Sequence, residues 1–405
     1  MRKFFIFSLA VLLFVTLVSG CGAEKVAINT EDGNATWKYP LGSIYNSGAS
    51  PFSPSPSFAV TWEKTLPNKT SFSPVVAGGA LVIPDDNGNI YCLSTETGGV
   101  IWSKKLGNKT SQPIIGANMV YLGVDKKMLA LNISDGNTIW EKALEGEVVG
   151  YPLNDGGKLW FVTEHDLYCL EESKGGQIFH KDYDKLTFTQ APTLQKYLYL
   201  VAGKQLIAFN DYDLVEVWSL YLRDDLIAPV SCQRSNIFAV DGNLYKIDDK
   251  NGDVLESYSY RAPTPSGEII DSPEYGAKLI TGASVYMNII CTTTEHGNVI
   301  AITDSVNGLS FLWSLGVTFP IKAPVLIGND YVYFGAGDGR FYVGSTPNGQ
   351  WVWHNRFGQK ENRDEHLFVS SPAILNDKIF VVSVSGLIKR LDIGGRPMTQ
   401  EEMAE

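Results

Sequence analysis

Residues 87–102 read NGNIYCLSTETGGVIW, and closely similar text returns as KKMLALNISDGNTIW over 126–140, HDLYCLEESKGGQIF over 165–179 and DGRFYVGSTPNGQWVW over 338–353. Each copy holds an apolar run, a glycine-bearing turn and a second run that closes on an aromatic residue. Around the copies, prolines recur at Pro74, Pro113, Pro152, Pro192, Pro229, Pro273, Pro324 and Pro372. The residues closing the preceding unit are Trp62, Trp102, Trp140, Phe179, Trp218, Glu256, Trp313 and Trp353, and six of the eight closing-residue-to-proline distances fall between 11 and 13 residues. Chance does not produce such a period.

Within a unit, short β-branched and aromatic runs alternate with turn dipeptides, as in 80–84, Asn87-Gly88, 90–93, Gly98-Gly99 and 100–102. This reads as four short antiparallel strands joined by hairpins. A repeat of about 40 residues made only of strands is the signature of a β-propeller blade. The proline suits an innermost strand, whose inward edge has no partner and loses little with a missing N–H. A large aromatic on the outermost strand can pack across the seam onto the next blade, worth about 2–3 kcal/mol of burial.

Eight units follow Trp62, yet the last, ending near residues 391–395, has no closing aromatic strand after it. The expected fold is therefore all-β, an eight-bladed propeller whose eighth blade is completed by a strand at 59–64. Such closure leaves no free sheet edge.

This unit pattern, together with the opening segment WKYPLGSIYNSGASP at 37–51, resembles the PQQ-like repeat propellers across residues 37–395. That family includes the BamB-type bacterial lipoproteins, outer-membrane assembly factors without catalytic activity. It also includes quinone-dependent dehydrogenases, which by resemblance hold their cofactor with calcium and, in the alcohol dehydrogenases, an adjacent cysteine pair. No Cys-Cys pair occurs in this chain and no cofactor-binding position matches residue by residue. No cofactor and no catalytic or metal-binding residue is expected.

The N-terminus begins with Arg2 and Lys3, continues with an apolar run over 4–17 and reaches Val18-Ser19-Gly20-Cys21. This is a signal peptide rather than a membrane span, with a lipoprotein cleavage box whose Cys21 becomes the lipidated first residue. The expected divisions are a signal over 1–20, a lipidated tether and strap over 21–58, the propeller over 59–395 and an acidic tail over 396–405. Gly22 in place of aspartate favours the outer membrane, periplasmic side, by resemblance to enteric sorting. Residues 22–58, rich in serine and proline, suit a tether and entry strap more than a core.

Formal charge is −11, and removal of Arg2 and Lys3 with the signal takes it to −13. No Lys/Arg stripe interrupts that acidity, which argues against a nucleic-acid partner. The repeat makes 405 residues one domain, expected to be a monomer. Cys92 and Cys169 hold equivalent positions in non-adjacent units, so buried free thiols are expected, with a Cys232–Cys291 disulfide as the alternative. The five histidines, His165, His180, His296, His354 and His366, lack metal-site spacing. Acidic runs at 85–88 and 248–253 resemble calcium loops but fall where the repeat needs hairpins.

Irregularities locate the candidate partner face. The connectors leaving Glu256 and Trp353 are 17 and 19 residues long, and all blade connectors emerge on one face of a propeller. They carry Tyr258, Tyr260, Arg261, Arg356, Phe357 and Arg363, a mixture suited to an interface. The sixth unit spans 40 residues from Pro273 to Trp313, and its surplus around 282–296 is expected to form extended or additional hairpin strands. The seam after Glu256 is expected to lack aromatic docking and to be the weakest. Two functions follow: a membrane-tethered scaffold binding an envelope protein, or a propeller that binds a quinone, sugar or polymer in its central channel.

Overall fold

The computed structural model describes residues 28, 30, 36–261, 276–317, 319–357 and 367–394. These form eight four-stranded antiparallel sheets, and no helix occurs among the described residues. We letter the strands of each blade a to d from the axis outward. Blade one contains Val75–Ala77, Ala80–Pro84, Asn89–Ser94 and Val100–Lys105. Blades two to seven occupy 114–143, 153–182, 193–221, 231–258, 284–316 and 326–356. Blade eight combines Ala373–Leu375, Lys378–Val382 and Leu387–Ile393 with the N-terminal strand Phe58–Thr65, and these chain ends pair from Phe58↔Ile393 to Thr65↔Leu387. The expected eight-bladed, strand-closed ring is the fold.

Strands b and c are buried almost throughout, and their β-branched and aromatic residues form clusters shared by neighbouring blades. Strands a are only two or three residues long, and Pro74, Pro113, Pro152, Pro192, Pro229, Pro324 and Pro372 stand one or two residues ahead of them. The proline thus sets the approach to strand a rather than sitting within it. Pro273 lies outside the described residues, and strand a of blade six starts only at Ser284. This corrects the expectation of additional strands in blade six: the sheet has four, and residues 282–296 hold only short strands a and b. Its one irregularity is a long outer hairpin, Asn298–Ser305 with Gly308–Gly316.

Residues 36–57 form an ordered strap. Trp37, Tyr39, Asn46 and Ser50 are buried, and the segment threads past the inner strands in blade order. The Ile115 amide donates to Lys38 O at 3.0 Å, Leu194 to Ile44 O at 3.3 Å, Cys232 to Tyr45 O at 2.9 Å, Val285 to Ser47 O at 2.7 Å and Ile327 to Gly48 O at 2.9 Å. Trp37 exchanges both backbone bonds with Val76 of blade one, and the Tyr39 hydroxyl bonds Asn154 of blade three. This strap satisfies edge groups that the short inner strands leave unpaired. It lies at the end of the ring that carries the a–b turns; the blade connectors are at the opposite end.

Candidate functional site

The seams between blades follow one rule. A β-bulge interrupts the c–d pairing of each blade, between Cys92/Leu93, Ala130/Leu131, Cys169/Leu170, Ala208/Phe209, Lys246/Ile247, Ala301/Ile302 and Val343/Gly344, and in blade eight between Val60/Trp62. A bulge re-aims the side chain beside it. Here the indoles point to the next blade: Trp62 Nε1 donates to Thr95 O at 3.0 Å, Trp102 to Ile133 O at 2.6 Å, Trp140 to Glu172 O at 2.9 Å, Trp218 to Asp249 O at 3.1 Å and Trp313 to Thr346 O at 2.7 Å. The residue opposite is small in most blades, Cys92 facing Trp102, Ala130 facing Trp140 and Ala208 facing Trp218.

Three seams vary the rule. After blade three the closing residue is Phe179, and the turn it approaches carries Leu214 at φ +55° instead of glycine. After blade seven, Trp353 meets Phe58 edge-on with ring centroids 5.3 Å apart, because the N-terminal strand supplies the last partner. After blade five, Glu256 Oε2 accepts from the Leu309 amide at 2.5 Å, while Lys246, its cross-strand partner, reaches Asp304 at 2.6 Å. An aromatic contact nevertheless crosses this seam, Tyr260 to Phe311 at 6.2 Å, which corrects the expectation of none.

On the connector face, the candidate partner residues separate. Tyr260 and Phe357 are each 2% exposed. Phe357 packs edge-on against Phe368 at 5.0 Å under the Lys389 ammonium, so both aromatics hold their connectors down instead of offering contact surface. Tyr258 is half-buried beside Tyr260, and burial pushes its hydroxyl up to about 12. Arg356 donates to Asp338 O at 3.0 Å. Arg261 lines a cleft of about 430 Å³ with Arg223, Asp224, Asp241, Lys278 and Glu295. Arg363 and Cys21 lie outside the described residues.

A larger cleft of about 850 Å³ opens on the same face between blades two and three, among Lys109, Glu145, Glu147, Glu164, His165 and Asp182. Its floor includes Asp166, which pairs with His180 at 2.8 Å and accepts from the Thr163 hydroxyl at 2.7 Å. Three hairpins of this face share a buried aspartate bonded to a tyrosine. Asp85 accepts from the amides of Asn87 and Asn89 and from the Tyr91 hydroxyl at 3.0, 2.9 and 3.1 Å; Asp241 and Asp338 repeat the pattern with Tyr245 and Tyr342. The acidic run at 85–88 is thus hairpin chemistry, and the run at 248–253 forms the c–d turn of blade five, where Asp248 accepts from the Lys250 amide at 2.7 Å. Among the described residues no cluster of His, Cys, Asp and Glu could hold a metal ion. Cys92, Cys169, Cys232 and Cys291 are buried free thiols, and burial pushes Cys169 up to about 12. The Cys232–Cys291 alternative is thereby overturned.

Sequence reasoning missed the strap's Asn46, which donates to Thr193 Oγ1 at 2.7 Å, accepts from the Tyr151 hydroxyl at 2.7 Å and, through its carbonyl, from Ser231 at 2.8 Å. Nothing in a serine-rich segment marks one asparagine as central. It also missed Arg390, which bridges Asp392 and Glu96 across the closing seam.

A family model described as outer membrane protein assembly factor BamB matches residues 22–148, 116–166 and 144–318. Outer membrane protein assembly factor BamB of Yersinia pestis is 24% identical over 93% of this chain and 96% of its own length. The Escherichia coli K12 protein of that name is 28% identical over 35% of this chain and 37% of its own. BamB from Moraxella catarrhalis superimposes with a TM-score of 0.63 at 12% identity, over 84% of this chain and 99% of that one. A quinohemoprotein alcohol dehydrogenase from Comamonas testosteroni gives 0.70 at 12% identity, over 90% and 81%. At such identities the solved structures speak for the fold alone. Because the family model covers well over half the residues, from 22 to 318 without a gap, this chain belongs to the BamB family of PQQ-like repeat propellers.

Proposed function

We propose that the protein is a lipid-anchored, non-catalytic scaffold in outer-membrane protein assembly, held at the periplasmic side of the outer membrane by an acylated Cys21. The observation that carries this reading is the family match along 22–318, joined to a relative of the same name aligned over nearly the whole chain. The partner contacts the connector face, where Arg261 and Arg356 stand at the two long connectors and clefts of mixed charge offer electrostatic complementarity. Trp62, Trp102, Trp140, Phe179, Trp218, Trp313 and Trp353 serve the ring, not the partner.

The dehydrogenase reading draws only on shared fold. The strap supports the scaffold reading instead, since it packs along the inner strands that bound one mouth of the central channel. In cells lacking the gene, outer-membrane β-barrel proteins are expected to fall in abundance and to recover with the wild-type chain. Recovery is expected to fail with Arg261→Glu combined with Arg356→Glu. Unchanged barrel levels in the deletion strain would refute the scaffold role.

A further inference from the structure

The point at which the N-terminal segment enters the ring limits how a lipid anchor can orient it. Thr30 is fully buried, its hydroxyl donates to Asn118 Oδ1 at 3.1 Å and accepts from the Asn118 amide at 2.9 Å. Asn118 belongs to the a–b turn of blade two, at φ +58°, so Thr30 is fixed at the strap end of the ring near its axis. Ile28 packs against the cluster shared by blades one and two. From Cys21 to Thr30 there are nine residue steps, which span at most about 32 Å when fully extended.

The way from that point to the opposite end is longer. Strands sit about 4.8 Å apart, so passing outward from strand a to strand d covers about 14 Å. The six-residue strands Met119–Val124 and Lys127–Asn132 then add about 20 Å along the axis. The sum, about 34 Å, precedes the side chains of the rim and the connector loops themselves. A tether that leaves the ring outward over its strap end is therefore too short to bring Cys21 to a bilayer lying flat against the connectors.

We infer that the strap end of blades one and two is the surface turned toward the anchoring bilayer, and that the connector face looks away from it into the aqueous compartment. This inference rests on the lipidated Cys21 of the proposed function and adds the orientation.

The test uses the full-length, processed protein in vesicles containing lipids with nitroxide-labelled headgroups. Two exposed positions of one blade region carry a fluorophore in turn: Ser134→Cys on the c–d turn of blade two, and Asn108→Cys on the connector entering it. The four cysteines of the ring are buried and stay unlabelled. Quenching is expected to be several-fold stronger at 134 than at 108, and a flexible ten-residue insertion after residue 23 is expected to shrink that difference. Intact mass on the same sample reports acylation of Cys21 separately. Equal or reversed quenching in acylated protein overturns the orientation while leaving the anchor intact. An unacylated chain overturns the anchor itself, and the orientation with it.

Discussion

The indole of Trp62 lies so close over Gly98 that a β-carbon there would come within 2.7 Å of the ring, while the glycine itself holds φ +70°. The same pair recurs as Trp102 over Gly136, Trp140 over Gly175, Trp218 over Gly252 and Trp313 over Gly349. Glycine is needed twice over, for the left-handed backbone and for the absence of a side chain beneath an aromatic that cannot yield. Gly98→Ala is expected to cost about 3 kcal/mol, read from the denaturation midpoint. With Trp62→Ala already present, only the backbone strain of about 1 kcal/mol remains. Additive losses would refute the contact.

The seam after blade three inverts this arrangement, with Phe179 and Leu214 packed against one cluster where other seams pair tryptophan with glycine. Phe179→Trp alone is expected to destabilise by about 1–3 kcal/mol through overpacking. Adding Leu214→Gly is expected to recover most of that loss. A coupling below about 0.5 kcal/mol would show that the two positions act independently.

Arg390 is 5% exposed and forks onto Asp392 at 2.7 and 2.6 Å, while its other nitrogen bonds Thr95 O at 2.9 Å and Glu96 at 2.9 Å. Removing it by Arg390→Met strips the closing seam of a buried ion pair and is expected to cost about 3 kcal/mol. The bonds from Lys378 and Arg390 hold Glu96 below its ordinary value. Asp392 is pushed up by burial yet ends below its own, because the bonds from Arg390 and Thr61 and the Arg390 and Lys378 charges together outweigh that burial. A depressed carboxylate stabilises the fold above its unfolded value, and that stabilisation is lost as pH falls through the folded one. Stability of the wild type is therefore expected to drop below about pH 4, and the Arg390→Met protein to show a flatter slope there. Parallel profiles from equilibrium unfolding at several pH values would contradict this.

Asn46 holds φ +51° and joins blades three, four and five through Tyr151, Thr193 and Ser231. Asn46→Ala leaves the buried Tyr151 hydroxyl without its acceptor and removes one of the two bonds of the Thr193 hydroxyl, and is expected to cost about 3 kcal/mol. Amides of the inner strands at Leu194 and Cys232, which donate to the strap, are expected to exchange faster while those of the outer strands do not. Unchanged protection there would mean that the strap is held by its backbone alone.

At the polar seam after blade five, Glu256→Ala removes the acceptor of the Leu309 amide. A bond to a charged acceptor is worth about 1.5–3 kcal/mol. Exchange of that amide is expected to rise by at least about tenfold, visible by mass spectrometry of the 308–316 peptide.

The repeat text alone determined the number of blades, the four strands in each and the meeting of the chain ends in blade eight. Those features follow from local pattern: strand periodicity, turn glycines and one aromatic per unit are all written within about 40 consecutive residues. Glu256 in a tryptophan slot and the two long connectors were equally legible, being breaks in a period.

Apart from that closing strand, side-chain contacts between different elements were not legible. That Tyr260 and Phe357 would turn inward depended on Phe311 arriving from the outer strand of blade six and Phe368 from the far end of the same connector as Phe357. That residues 36–57 would be buried depended on the vacant inward edges of seven blades, which exist only once the ring has closed. A serine- and proline-rich segment carries no periodicity of its own. Its hydrogen bonds are dictated by the surface it meets, and only the tertiary structure supplies that surface.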